Sequence, residues 1–192
     1  MAEPARALPT GRMSADEFIA WAMAQPGGRY ELYDGRVVAM APERVRHARS
    51  KAQAWRALDE AARRTGLPCE AFVDGLAVRI DETMVFEPDA LLRCGDPLPG
   101  DAVECADPVV IVEVLSPSSG GVDSGAKFAG YFRLPSVRHY LLVDPKRRTV
   151  VHHAREGDGR ILSRIVTEGA LALDPPGLEI AAPDLFPAEE GA

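Results

Sequence analysis

Apolar positions along the chain change their spacing several times, and each change marks an element. Ser14 and Glu17 form an S-x-x-E capping box, after which Phe18, Ile19, Ala22 and Met23 recur at helical spacing as far as Gln25-Pro26-Gly27-Gly28. A short amphipathic helix is expected there. Tyr30 to Ala41 reads as two short strands about Asp34-Gly35, a dipeptide suited to the left-handed backbone of a two-residue hairpin turn, which puts Glu31 on a strand. Val45, Ala48, Ala52, Trp55, Leu58 and Ala62 then step by three or four and stop at Gly66, with Pro68 beyond, predicting a longer helix.

From Cys69 to Arg93 the pattern shortens to extended runs broken at Asp74-Gly75 and Asp81-Glu82, and Val109 to Leu115 is a near-continuous apolar strand. Ser116 to Gly125, rich in Pro, Ser and Gly, reads as a loop, and Lys127 to Leu134 completes about two helical turns before Pro135. Further strands are expected at Arg138 to Val143, Thr149 to His153 and Ile161 to Thr167, with a turn at Asp174-Pro175-Pro176-Gly177 before a short extended tail. The pattern is α/β with a mixed sheet. Residues 1–12 and 187–192 lack periodicity and read as frayed tails around one domain over 13–186.

Composition narrows the class. With 192 residues, 46% apolar and 27% charged, the chain is expected to fold around one core, and no run approaches a membrane span. The N-terminal segment has neither a secretory h-region nor transit-peptide character, so a cytoplasmic location is the default expectation. Cys69, Cys94 and Cys105 are odd in number and lack C-x-x-C spacing, which predicts reduced structural thiols rather than disulfides or zinc. The net charge of −7 opposes strong nucleic-acid affinity. The cluster Arg44, Arg46, Arg49 and Lys51 is either a local contact surface or a solvated helix face.

The candidate chemistry begins at Glu113, set in Val-Val-Ile-Val-Glu-Val-Leu, a sequence otherwise fit for a strand buried on both faces. An unpaired carboxylate there would cost several kcal/mol, so it needs a cation, a donor or a raised pKa. Asp89 follows Pro88, which marks an edge, bend or strand start. If the two strands are neighbours about 4.8 Å apart, the two carboxylates could share one hard cation. Mg²⁺ or Mn²⁺ bound this way would suit phosphodiester hydrolysis. The alternatives are a salt bridge for Glu113 and a turn or edge role for Asp89. His47 is a possible base or phosphate contact or a boundary residue, and His152 and His153, adjacent on a strand, point to opposite faces and cannot share an ion.

Taken in order, Tyr30-Glu31-Leu32-Tyr33-Asp34-Gly35, Pro88-Asp89, Val112-Glu113-Val114-Leu115-Ser116-Pro117-Ser118, Lys127-Phe128 and Tyr140-Leu141-Leu142-Val143-Asp144-Pro145 resemble the Uma-type restriction endonuclease family, within the PD-(D/E)XK nuclease superfamily. The resemblance spans roughly residues 14 to 186. It implies a restriction-endonuclease-like fold, a central mixed β-sheet flanked by helices, with Asp89 and Glu113 holding Mg²⁺ (or Mn²⁺) and DNA as the substrate of an endonuclease. Dimers are common among enzymes of this fold, so a homodimer is a further expectation. Where the wider superfamily has a lysine two residues after the glutamate, this chain has Leu115, and Lys127 is the natural replacement unless it only pairs with Asp123. Glu31 is expected to approach the metal as a further carboxylate, and Tyr131, one helical turn beyond Lys127, faces the same cleft or the core. The competing reading is a catalytically inactive interaction or nucleic-acid-binding module on the same fold.

Overall fold

A computed structural model describes residues 8–116 and 121–188. The capping box forms: Ser14 N–H donates to Glu17 Oε2 at 2.8 Å, Glu17 N–H donates to Ser14 Oγ at 3.3 Å, and α1 runs over Ala15–Met23. Strands β1 (Tyr30–Tyr33) and β2 (Arg36–Ala39) pair across Asp34 (φ 48°) and Gly35 (φ 74°), both left-handed as such a hairpin requires. Helix α2 spans Val45–Thr65 and is closed by Gly66 at φ 67°. The expected breaks at Asp74-Gly75 and Asp81-Glu82 separate β3 (Cys69–Val73), β4 (Val78–Asp81) and β5 (Met84–Phe86), after which β6 (Ala90–Cys94) and β7 (Pro108–Val114) follow.

Helix α3 covers Gly121–Tyr131, so the last part of the segment read as a loop is helical. Two glycines, Gly121 and Gly125, conceal it, because their low helix propensity is overridden by packing at its C-terminal half. Strands β8 (His139–Asp144), β9 (Thr149–Arg155) and β10 (Ile161–Val166) agree with expectation, while β11 (Ala170–Leu173) pairs with β12 (Leu178–Ala181) around the Pro-Pro-Gly turn, before a 3-10 turn at Ala182–Leu185.

Six strands make the central sheet in the order β10-β9-β8-β7-β6-β3, mixed because β7 and β8 run parallel while the other pairs are antiparallel. A parallel pair needs a crossover, and α3 supplies it. This is the central mixed sheet that was expected, and beside it β2-β1-β5-β4 form a separate four-stranded antiparallel sheet. One face of the central sheet packs α2 through Ala54, Leu58 and Ala61 against Leu92, Val110, Val112 and Leu141. The other face packs α3 through Tyr131 against Phe86, Leu91, Ile111 and Tyr140. No helix among the described residues is long and apolar enough to cross a membrane.

Reduced thiols are corrected for two of the three cysteines. Cys69 and Cys94 stand opposite each other in the β3–β6 register and form a disulfide, leaving Cys105 free and buried. Spacing along the chain carries no record of this contact, which exists because the two strands pair.

Candidate active site

The site lies where the two sheets and both longer helices converge. Glu113 is on β7, on the face it shares with Ile111, and points toward α3. Its Oε1 accepts hydrogen bonds from Tyr131 Oη–H at 2.8 Å and from Lys127 Nζ at 3.1 Å. Lys127 reaches this position because α3 crosses over the sheet, and its Nζ also lies 2.8 Å from Glu31 Oε1 on β1. Glu31 is held in turn by the Glu87 N–H, which donates to Oε1 at 2.9 Å. Three of the sequence-predicted residues therefore meet in one buried ion-pair chain, Glu31–Lys127–Glu113, and Tyr131 faces that cleft and the core at once.

Asp89 lies one residue before β6, which pairs with β7 in the neighbouring position expected for it. Its Oδ2 accepts from the Val114 N–H at 2.7 Å, so the carboxylate rests against β7 one residue beyond Glu113. On its other side stand residues of α2: Lys51 Nζ is 2.9 Å from Oδ1 and His47 Nε2 is 3.5 Å from Oδ2. Lys51 also pairs with Glu43 and with Asp74, and Arg29 pairs with Glu43, Asp74 and Glu87. Glu31, Asp89, Glu113 and Lys127 line a single cavity of about 780 Å³, whose wall also includes Glu43, His47, Arg44, Arg46, Leu115 and Lys146.

Electrostatics of the cluster follow from burial. Glu31, Asp89, Glu113, Lys51 and Lys127 are all nearly inaccessible to water. Burial pushes the Glu113 carboxyl well above the ordinary carboxylate range; Lys127 opposes that, and the Asp89 and Glu31 charges add to it. Burial by itself would lower the Lys127 ammonium, but Glu113 and Glu31 outweigh it and hold the pKa well above the usual lysine value. The ammonium thus persists, shared by two carboxylates. Lys51 is likewise raised despite burial, by Asp89 first and then by Glu43 and Asp74.

Sequence reasoning missed Lys51 as a site residue. It was grouped with Arg44, Arg46 and Arg49, which are exposed, whereas Lys51 is turned inward. The available signal was its position three residues before Ala54 and seven before Leu58, both on the buried face of α2. Glu43 was missed for want of any signal, since it precedes the helix and joins the site only through tertiary pairing. The alternative partner of Lys127, the side chain of Asp123, lies outside the described residues, as do Pro117 and Ser118 of the motif after Glu113.

A model of the Uma2 family, described as "Putative restriction endonuclease", matches residues 15–184. Two proteins of Synechocystis sp. are similar in sequence: uncharacterized protein sll1609 is 33% identical over 105 residues, 53% of this chain and 59% of that protein. Uncharacterized protein slr1290 is 29% identical over 163 residues, 81% of this chain and 82% of that protein. The fold is similar to a crystal structure from Anabaena variabilis described as a putative nuclease, with a TM-score of 0.73 and 14% identity over 90% of this chain and 97% of that one. At that identity the likeness speaks for the fold. Since the family match reaches from the first helix to the final 3-10 turn and takes in every strand and helix that lines the cavity, the chain belongs to the Uma2 family of putative restriction endonucleases.

Proposed function

We propose that this chain is a divalent-metal-dependent endonuclease that hydrolyses phosphodiester bonds in DNA, with Asp89 and Glu113 as the carboxylates that hold Mg²⁺ or Mn²⁺. The observation that carries this reading is the presence of Glu31, Asp89, Glu113 and Lys127 on the wall of one cavity. The donor set fits such an ion. Among the described residues, the ion pairs of this cluster set six carboxylates (Glu31, Glu43, Asp74, Glu87, Asp89 and Glu113) against three permanent cations (Arg29, Lys51 and Lys127), and oxygen-rich, negatively charged surroundings are what hard dications prefer.

A bound dication would polarise a phosphoryl oxygen and lower the pKa of a coordinated water. Tyr131 and Lys127 both donate to Glu113 Oε1 and so fix the carboxylate's orientation. Lys127 presents a persistent ammonium in the cavity, where it offsets phosphate charge or orients the attacking water, the work left undone by Leu115. Glu31 steadies Lys127, and the Val114 N–H steadies Asp89. Arg44, Arg46 and Lys146 on the cavity wall are cations that a phosphate backbone would meet on entry.

Incubating the chain with plasmid and with single-stranded DNA in Mg²⁺ or Mn²⁺, beside Asp89→Ala and Glu113→Ala, tests the proposal. Cleavage that falls at least about a hundredfold in both variants is expected. Equal cleavage by parent and variants would sink it. A non-catalytic binding module is favoured by Leu115 and by the net charge of −7, and it would show metal or DNA binding without any cleavage by the parent.

A further inference from the structure

Strand β10 ends the central sheet, with β9 alone beside it. The Glu156 N–H donates to the Arg160 carbonyl at 2.8 Å, and the β9–β10 register runs on from there without a shift. By the alternation of an antiparallel ladder, the main-chain groups of Leu162, Arg164 and Val166 turn toward β9, and those of Ile161, Ser163 and Ile165 turn outward. Among the described residues, no hydrogen bond reaches the outward groups. The opposite edge is covered, since the Trp55 Nε1–H donates to the Ala71 carbonyl of β3 at 3.0 Å. Strand β10 carries no proline, lysine or bulge, the devices that blunt an open edge, and it exposes Leu162 and Ile165, the latter by 76%.

We propose that two copies of this chain pair through β10, antiparallel about a two-fold axis at Ser163, and so extend the central sheet through both protomers. This pairing does not rest on the nuclease reading.

The side chains select a second copy and fix its register. Ser163 Oγ lies 2.7 Å from His153 Nδ1, whose ring packs on Phe128 of α3, so Ser163 is on the α3 face and Ile161 and Ile165 share that face by alternation. With Ser163 opposite its own equivalent, Ile165 of each protomer lies opposite Ile161 of the other, and Leu162 lies opposite Arg164. Apolar pairs then flank the axis and no like charges oppose each other. Moving the axis one residue to Leu162 sets Arg164 opposite Arg160, and moving it to Arg164 sets that arginine opposite itself. Both neighbouring registers are disfavoured, because like charges directly across a ladder repel.

An axis of this kind is perpendicular to the sheet and keeps both α3 faces, and with them both Glu113 side chains, on one side. Strand β7 is the third strand in from β10, so the two carboxylates stand about 34 Å apart across the joined sheet, close to one turn of duplex DNA. On the nuclease reading, two sites would meet one duplex.

Sedimentation velocity of the full chain from about 1 to 100 µM, a range that spans micromolar association, tests the pairing. A reversible dimer is expected in the parent, weakened at least tenfold by Ile165→Lys. Cysteines report the register. Under mild oxidation Ser163→Cys should form a disulfide-linked dimer, because the opposed Cα atoms of a hydrogen-bonded pair are about 5.5 Å apart, within disulfide reach. Ile165→Cys should not, because its two copies stand about 13 Å apart. Both positions are exposed, so neither change threatens the fold, and the parent controls for its own cysteines. A chain monomeric at every concentration, a dimer indifferent to Ile165→Lys, or Ile165→Cys cross-linking as readily as Ser163→Cys would each overturn the proposal.

Discussion

A lysine only 6% exposed persists beside anionic partners, and Lys127 has two, Glu31 and Glu113. Replacing it with Met leaves both carboxylates buried without their cation. The expected loss is about 3–5 kcal/mol of stability, read from urea unfolding at neutral pH. Adding Glu113→Gln to the same chain should recover part of it, whereas strictly additive losses would show that the pair is not coupled. A second residue-scale prediction concerns His139 and His152, buried together with 3.0 Å between His139 Nδ1 and His152 Nε2. Because the Pro175 carbonyl takes the His139 Nε2–H, His139 Nδ1 accepts and His152 donates, so both rings are neutral. Burial, then His139, lowers the His152 pKa from 6.5 to about 4. The unfolded chain binds a proton that the folded one refuses, so this pair's contribution to stability is intact above about pH 6.5 and is lost as pH falls toward 4. Urea midpoints of the parent and His152→Gln, compared between pH 7 and 4, should converge as the pH falls; a constant difference would refute the linkage.

Among the elements, α3 shows how packing overrides local preference. A Cβ on Gly130 would stand 2.7 Å from Phe86 Cε2, and the Phe86 ring is fully buried against Tyr131 and Tyr33. Gly130→Ala gains about 1 kcal/mol of helix propensity but overpacks the core, which costs roughly 1–3 kcal/mol. Net destabilisation is expected in thermal unfolding, and an unchanged or raised Tm would show that Phe86 yields freely. Helix α2 teaches a related lesson. Its extent was legible from the spacing and from Gly66, but the buried face runs through Ser50, Lys51, Ala54, Ala57 and Ala61, while Val45, Ala48 and Ala52 are exposed. Alanine at so many positions removes the apolar contrast that would define a face, and Lys51 is drawn inward by carboxylates distant in sequence. Likewise the β3–β6 pairing, and with it the Cys69–Cys94 disulfide, depends on strand register that no local pattern records.

At the scale of the molecule, a net charge of −7 and an excess of buried carboxylate oppose DNA. Affinity for a short labelled duplex should therefore be weak in EDTA and rise at least about tenfold with Mn²⁺, because the ion cancels negative charge where the phosphate must enter. Fluorescence anisotropy at fixed ionic strength measures this, and affinity indifferent to Mn²⁺ would contradict it. The sequence by itself determined the α/β pattern, the hairpin at Asp34-Gly35 and the anomaly of Glu113, since periodicity, turn stereochemistry and the cost of a buried charge are all local properties. It also placed Glu31, Asp89, Glu113 and Lys127 in order along a resemblance. Only the tertiary structure brought those four to one cavity, divided the strands among three sheets, and turned Lys51, His47 and Glu43 toward Asp89. Those contacts join residues up to 96 positions apart on separate elements, as with Glu31 and Lys127. Their energy comes from pairing charges in a shared low-dielectric interior, which exists only once the sheets and helices have closed around it.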